Sequence, residues 1–410
     1  VTSNAPGAGL RGTTVVAAGM MVSNVTVYGF SVASARLLVP AELGAVTALL
    51  GILLIGNVLS LGLQATTARR LAIDPEHQGE VIGVVRRVTV LAGLAGGAVV
   101  AAASVVLTPA LKLDSPVPVL LCGLTLVPLT IMGAQAGIAQ GTEQWQLLAR
   151  IYVANGVGRL LCGAAALVID PSTTSAMVGI AVGACVPVLA GLPVLKAPST
   201  PTTAASRRPF ITEAFHGTHA LLAYFVLSSA DSLIARNQFD EHDSGLYAAG
   251  LILTKAALFL PQFVSVVLFP ALARDTTSRS RLRAVSLVAA CCALAVAATA
   301  ILPRLALVLV GGPQYEEIAD RLWLFALSGS CLALANVLVL DALARRAHGV
   351  VALIWVAVGV VGGVAYGTDV HITGLVVTVG AVSGVLAAAL GLAPLVTRRR
   401  AASDRSTTPH

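Results

Sequence analysis

The chain has 410 residues, of which 57% are hydrophobic and 11% charged, with a net charge of +7 and a mean hydropathy of +0.88. Soluble domains carry roughly 25% charged residues, so composition excludes a soluble globular protein. A membrane β-barrel is excluded as well, because its strands are ~10 residues of alternating pattern and not long continuous apolar runs. The basic excess sits in short loops and the tail, a topology signal, so no nucleic-acid partner is expected.

Apolar runs long enough to cross a bilayer fall in chain order at about 13–34, 43–65, 87–109, 116–138, 148–169, 174–195, 214–236, 245–268, 284–310, 322–341, 349–367 and 372–396. The prediction is an all-α polytopic membrane protein of about 12 transmembrane helices. The stretch before the first run, VTSNAPGAGLRG, is too polar for a signal-peptide core, so that run is expected to remain as an anchor. Alternate loops hold nineteen Lys and Arg on one side against five on the other, and the last two of the 26, Arg159 and Lys255, lie inside spans. By the positive-inside rule both termini are cytoplasmic, in what the sequence reads as a bacterial plasma membrane.

The Pro/Ser/Thr-rich segment KAPSTPTTAASRRP follows the sixth span and reads as a flexible cytoplasmic linker. The expected organisation is an N-terminal lobe over 1–195, a linker over 196–213, a C-terminal lobe over 214–397 and a disordered basic tail over 398–410. The tail arginines are placed to touch anionic membrane lipid. A repeat crosses the linker: ARLLVPAELG (35–44) and ARNQFDEHDSG (235–245) both put Ala-Arg at the outer end of one helix, then an acidic turn, then Gly. Two six-helix lobes related by a pseudo-twofold axis normal to the membrane are therefore expected, with a binding site between them.

Within the spans, Gly93 and Gly97, Gly179 and Gly183, Gly359 and Gly363, and Gly380 and Gly384 form small-residue faces for close helix packing. The six cysteines lie in apolar stretches without metal-type spacing and read as small core residues. Ionisable groups in the spans cost at least ~2.5–3.5 kcal/mol on insertion scales, so they mark an interior or a wet cavity. Arg159 lies halfway along the fifth span, and Lys255 and Asp231 lie ~15 Å and ~8 Å below the outer ends of the eighth and seventh. An Asp231–Lys255 pair is expected on the cavity wall, either locking the lobes or binding a coupling H⁺ or Na⁺. Arg36 and Arg236 sit at the outer rim, and Asn24 and Tyr28 share one face of the first helix as candidate cavity polar groups. Arg36, Arg159, Lys255 and Arg236 outnumber the one Asp, so the cavity suits an anion, and Arg pairs well with phosphate.

No Walker A loop, zinc-protease helix, nucleophile elbow or Cys/His metal spacing occurs, so neither an enzyme nor a resident cofactor is expected.

The hairpin ARLLVPAELGAVTALLGILLIGNVLSLGLQATTARRLA resembles the opening of the polysaccharide-biosynthesis flippases, which include Wzx-type O-antigen flippases. Those belong to the multidrug/oligosaccharidyl-lipid/polysaccharide exporter superfamily. Arg36, Pro40, Glu42 and Gly44 match the family's first hairpin. Asp231, Gly245, Tyr247, Ala248, Phe269, Pro270, Leu272 and Tyr315 match its later elements. The resemblance implies two six-helix lobes around a V-shaped cavity with alternating access. It also implies a polyprenyl-diphosphate-linked oligosaccharide as cargo, with basic cavity residues on the diphosphate; a glycan polymerase or glycosyltransferase is a separate candidate partner. Alternatives are an ion-coupled multidrug/cation antiporter of the same superfamily, or a non-transporting scaffold for glycan-assembly enzymes. A major-facilitator transporter shares the two-lobe plan, but its signature loop is replaced here by TTARRLAIDPEHQGE.

Overall fold

The computed structural model describes residues 6–74, 76–196, 204–272, 278–344 and 349–406. Its first half contains α1 (Pro6–Leu37), α2 (Pro40–Gly56), α3 (Val58–Ile73), α4 (Gln78–Ala110) and α5 (Val117–Gly141). It continues with α6 (Trp145–Ile169), α7 (Thr173–Gly183), α8 (Cys185–Ala190) and a 3-10 turn over Leu192–Lys196. The second half holds α9 (Ala204–Gln238), α10 (Glu241–Leu272), α11 (Ser278–Ile301), α12 (Pro303–Val310), a 3-10 stretch over Pro313–Arg321, α13 (Leu322–Ala344), α14 (Val350–Gly367) and α15 (Ile372–Ser406). No strand occurs among the described residues, so the all-α expectation holds.

Ten helical segments are long and apolar enough to cross a membrane, and a bent pair makes an eleventh. The remaining predicted span, 245–268, lies within α10, a 32-residue helix. Three spans that read as single runs are interrupted. The second has a one-residue turn at Asn57, between α2 and α3, with the backbone still in the right-handed helical region. The sixth breaks at Ala184, just before Pro187, whose ring nitrogen has no hydrogen to give the preceding turn. The ninth is the largest departure: Ser286–Ile301 and Pro303–Val310 meet at 102°, so 284–310 is not one straight helix. Pro303 disfavours the helical conformation of the residue before it, and Leu302 accordingly sits at φ −120, ψ 58. Gly311 and Gly312, at φ 149 and 106, then end α12 in backbone conformations that only glycine adopts without strain.

Two boundaries also differ from expectation. Helix α9 begins at Ala204, so residues 204–213 of the expected linker are helical, and 197–203 lie outside the described residues. At the C-terminus α15 stays helical to Ser406, into the stretch expected to be disordered.

Close packing within each half follows the small residues. A Cβ on Gly97 would lie 2.7 Å from the Gly123 carbonyl oxygen, and one on Gly123 would lie 2.6 Å from that of Gly97, so α4 and α5 touch backbone to backbone. Gly158 and Gly183 do the same for α6 and α7. Gly359 and Gly363, by contrast, meet nothing within 4 Å and leave that face of α14 open.

The halves meet where α2 packs on α9 and α10, α3 on α9, and α1 on α10. The repeated glycines face each other there: a Cβ on Gly44 would run into the Ser244 hydroxyl, and one on Gly245 would run into Pro40. The two turns that looked alike in sequence therefore pack against one another. We call this end of the molecule the hairpin end. Beside it, Tyr247 packs edge-on against Phe325 with centroids 5.2 Å apart, and both rings are buried.

Candidate transport cavity

Between the halves lies a cavity of about 220 Å³ lined from α1, α2, α5, α6, α7, α9 and α10. The turns in the second and sixth spans reach it, through Asn57 and Ala184. At both points the main chain keeps helical hydrogen bonds, Asn57 N–H to Leu53 O at 2.8 Å and Ala184 N–H to Ile180 O at 2.9 Å. Apolar side chains make up most of the wall. Its cations are Arg159 from α6 and Lys255 from α10, and no carboxylate lines it among the described residues.

Arg159 is held by packing rather than by a counter-ion. Its guanidinium carbon lies 5.4 Å from the centroid of the Phe30 ring, a cation–π arrangement. Phe30 is fully buried and fits because residue 163 is glycine, where a Cβ would strike the ring. The Arg159 Nε is buried and has no hydrogen-bond partner. Buried donors are nearly always paired, so one left open on a cavity wall is a place for a ligand acceptor. The Asn57 Oδ1 and Ser229 Oγ atoms of the same wall are likewise buried without partners.

Lys255 donates its Nζ to the Ser228 carbonyl at 2.5 Å. Asp231 is 1% exposed and is absent from the cavity lining. Its carboxylate accepts the Ser232 N–H at 2.8 Å and the Tyr247 hydroxyl at 3.5 Å. Asp231 and Lys255 thus make no direct ion pair, the lysine being held by a carbonyl and the aspartate by a main-chain N–H and a phenol, although the two charges stay near enough to act on each other. Depth along the two helices suggested the pair, but azimuth about the helix axes decides contacts, and sequence spacing left that angle open.

The other expected site residues divide. Tyr28 lines the cavity and donates its hydroxyl to the Leu309 carbonyl at 3.3 Å. Asn24, one turn earlier on α1, is not part of the lining. Arg36 and Arg236 also lie outside it, at the hairpin end, and bind main-chain carbonyls there. Expected as cavity cations for a diphosphate, both occupy a different place in this structure. Asn57, Asn155 and Ser229 are lining residues that the sequence reading passed over. The available signal was a neutral polar side chain in the middle of an apolar run.

Glu42, the acid of the first hairpin, has a structural role. Its carboxylate accepts the Thr173 N–H at 2.5 Å and so caps the first turn of α7. Negative charge at a helix N-terminus is favourable, and here it ties α2 to α7.

No curated protein sequence matches this one significantly. Among solved structures, an inward-facing multidrug resistance MATE family transporter of the MOP superfamily superposes with a TM-score of 0.69 at 13% identity, covering 96% of this chain and 100% of that one. An outward-facing structure of such a transporter gives 0.66 at 13% identity, over 98% and 99% of the two chains. A MOP superfamily transporter from Pyrococcus furiosus, described as having a binding pocket of reversed polarity, gives 0.64 at 12% identity over 95% and 97%. At such identities the likeness establishes the fold: two helical lobes of the MATE type. The profile of the family described as polysaccharide biosynthesis protein matches residues 10–275, well over half of the chain, and this multi-pass membrane protein belongs to that family.

Proposed function

We propose that the protein is a flippase that carries a polyprenyl-diphosphate-linked oligosaccharide across the bacterial cytoplasmic membrane, with both termini in the cytoplasm. The reading rests on family membership, on a transporter fold, and above all on one observation. The cavity between the lobes presents Arg159 with an open buried donor, together with Lys255, and no carboxylate lines it among the described residues. A diphosphate offers that donor the charged acceptor it lacks, and such bonds are about twice as strong as neutral ones. A drug/cation antiporter needs the opposite polarity. The cavity volume of about 220 Å³ takes a diphosphate with little beside it, so in this conformation a glycan of several sugars must extend beyond the site. The polyprenyl tail remains in lipid throughout, because transfer of its many methylenes into water would cost about 0.8 kcal/mol each.

The test is reconstitution. Proteoliposomes carrying a fluorescent polyprenyl-diphosphate glycan should show label leaving the leaflet accessible to an impermeant quencher only when protein is present. Flipping of the lipid diphosphate at the rate of empty vesicles, alongside uptake of an organic cation, would replace this reading with the antiporter.

A further inference from the structure

The hairpin end is closed by hydrogen bonds of one recurring kind. Each of four helices ends there with main-chain carbonyls that its own ladder cannot satisfy, and the opposite half of the molecule supplies the donors. The α12 carbonyls of Val308 and Leu309 accept from Arg36 Nη2 at 3.0 Å and the Tyr28 hydroxyl at 3.3 Å, both on α1. In return, the Ala35 carbonyl near the end of α1 accepts from the Tyr315 hydroxyl at 3.0 Å and from Gln314.

The second set repeats the scheme with the halves exchanged. Arg236 on α9 donates from Nε to Leu111 O at 2.8 Å and from Nη2 to Lys112 O at 3.0 Å, just past the end of α4. Its Nη1 reaches Ala41 O at 3.1 Å and Ser244 Oγ at 3.3 Å, and the Glu241 carboxylate stands 4.0 Å away. Asn237 adds a bond to Ala110 O at 2.9 Å. In return, Lys112 Nζ caps the Phe239 carbonyl beyond α9 at 2.7 Å.

From this geometry we infer that the two Ala-Arg sequences are a pair of cross-lobe latches that hold the hairpin end shut. The arginine of each half caps the helix ends of the other, and separation of the lobes there must strip both caps at once. A cation at a helix C-terminus also meets the negative end of the dipole, so the caps act by charge as well as by hydrogen bonding. The alanines have their own reason: Ala35 and Ala235 are 0% and 1% exposed, in the closed seam beside the arginines. The latches are unequal. Arg236 is 4% exposed and makes four bonds, whereas Arg36 is exposed and makes one. The α9–α4 latch therefore dominates. The inference concerns the movement of the lobes and holds whatever the cargo is.

The experiment reads access to the seam in the full-length protein in lipid nanodiscs. Ala35→Cys and Ala235→Cys each place a thiol in the seam, and an impermeant maleimide reports its exposure, with the six native cysteines as background. Adding Arg236→Ala should accelerate labelling at position 235 by about tenfold or more, the equivalent of losing one charge-assisted bond. Arg36→Ala should accelerate labelling at position 35 by less. Arg236→Lys should fall short of restoring slow labelling, because one ammonium cannot span Leu111 O, Lys112 O and Ala41 O together. Lys112→Ala and Asn237→Ala each remove a single bond and should give intermediate rates at unchanged melting temperature. Unchanged labelling in all these variants would overturn the inference. So would an Arg236→Ala protein that melts throughout while the single-bond variants label at the parental rate, since the arginine would then serve folding alone.

Discussion

Replacing Arg159 by methionine separates a ligand-binding cation from a structural one. The substitution keeps an unbranched stem of similar reach against Phe30 and removes the charge. In the unliganded protein the guanidinium gains the cation–π contact with Phe30, about 0.5–2 kcal/mol. Against that stands a buried Nε with no acceptor, which costs about 1–3 kcal/mol. The two nearly cancel, so Arg159→Met should leave thermal stability unchanged or raise it slightly, as exchange of buried charge for well-packed apolar groups often does. Anion binding should move the other way. Loss of one hydrogen bond to a charged partner removes about 1.5–3 kcal/mol, roughly a ten- to hundredfold weakening. The assays are melting of the detergent-solubilised protein and titration with inorganic pyrophosphate. A variant that melts several degrees lower yet binds pyrophosphate as before would refute the reasoning, because Arg159 would then be a packing residue.

Four further outcomes follow from the packing and the loops. Gly97→Ala puts a methyl 2.7 Å from the Gly123 carbonyl oxygen, and backbone on both sides must yield, so melting should fall by the equivalent of about 1–3 kcal/mol. Gly359→Ala, with nothing within 4 Å, should be neutral or stabilising by up to about 1 kcal/mol through helix propensity. Glu42→Ala removes the acceptor at the start of α7 and should cost about 0.5–2 kcal/mol in the same melting assay, with Glu42→Asp too short to restore it fully. In the turn between α3 and α4, His77 Nδ1 lies 3.0 Å from the Asp74 carboxylate. The hydrogen bond and charge of Asp74 raise the His77 pKa, and the same bond lowers that of Asp74. The favourable contribution of His77 is complete below the ordinary imidazole range and is lost as pH rises through its raised value. That of Asp74 is present above the ordinary carboxylate range and is lost as pH falls through its lowered value. Histidine-selective NMR should show the His77 titration return to its ordinary position in Asp74→Asn; no displacement would remove this pair from the account.

How much of this was legible in the sequence depends on the physics behind each feature. Span positions were legible because a bilayer demands runs of fixed length, and all twelve expected runs fall on helices. The breaks were harder: Pro187 and Pro303 were visible, but a proline alone does not distinguish a slight bend from the 102° turn at Leu302. Charges were legible as exceptions, and two of them, Arg159 and Lys255, do line the cavity. For the rest, cost alone misled. A charge inside a membrane protein has to be satisfied, but its partner can be a ligand, a counter-ion or a row of helix-end carbonyls, and hydropathy treats these alike. By hydropathy Arg36 and Arg236 read as cations for an anion, while the carbonyls they bond are those of Val308, Leu111, Lys112 and Ala41. Those partners are main chain, and beside them Arg236 meets only the Ser244 hydroxyl and, at 4.0 Å, the Glu241 carboxylate, so side chains in the sequence announce little of the arrangement. What does announce them is the repetition of Ala-Arg before a Gly-containing turn in both halves. A cargo site between two pseudo-symmetric lobes has no need to duplicate its cations at equivalent positions on the rim. A closure that must seal both sides of a pseudo-twofold axis does, and that makes the repeat a signature of the seam rather than of the cavity.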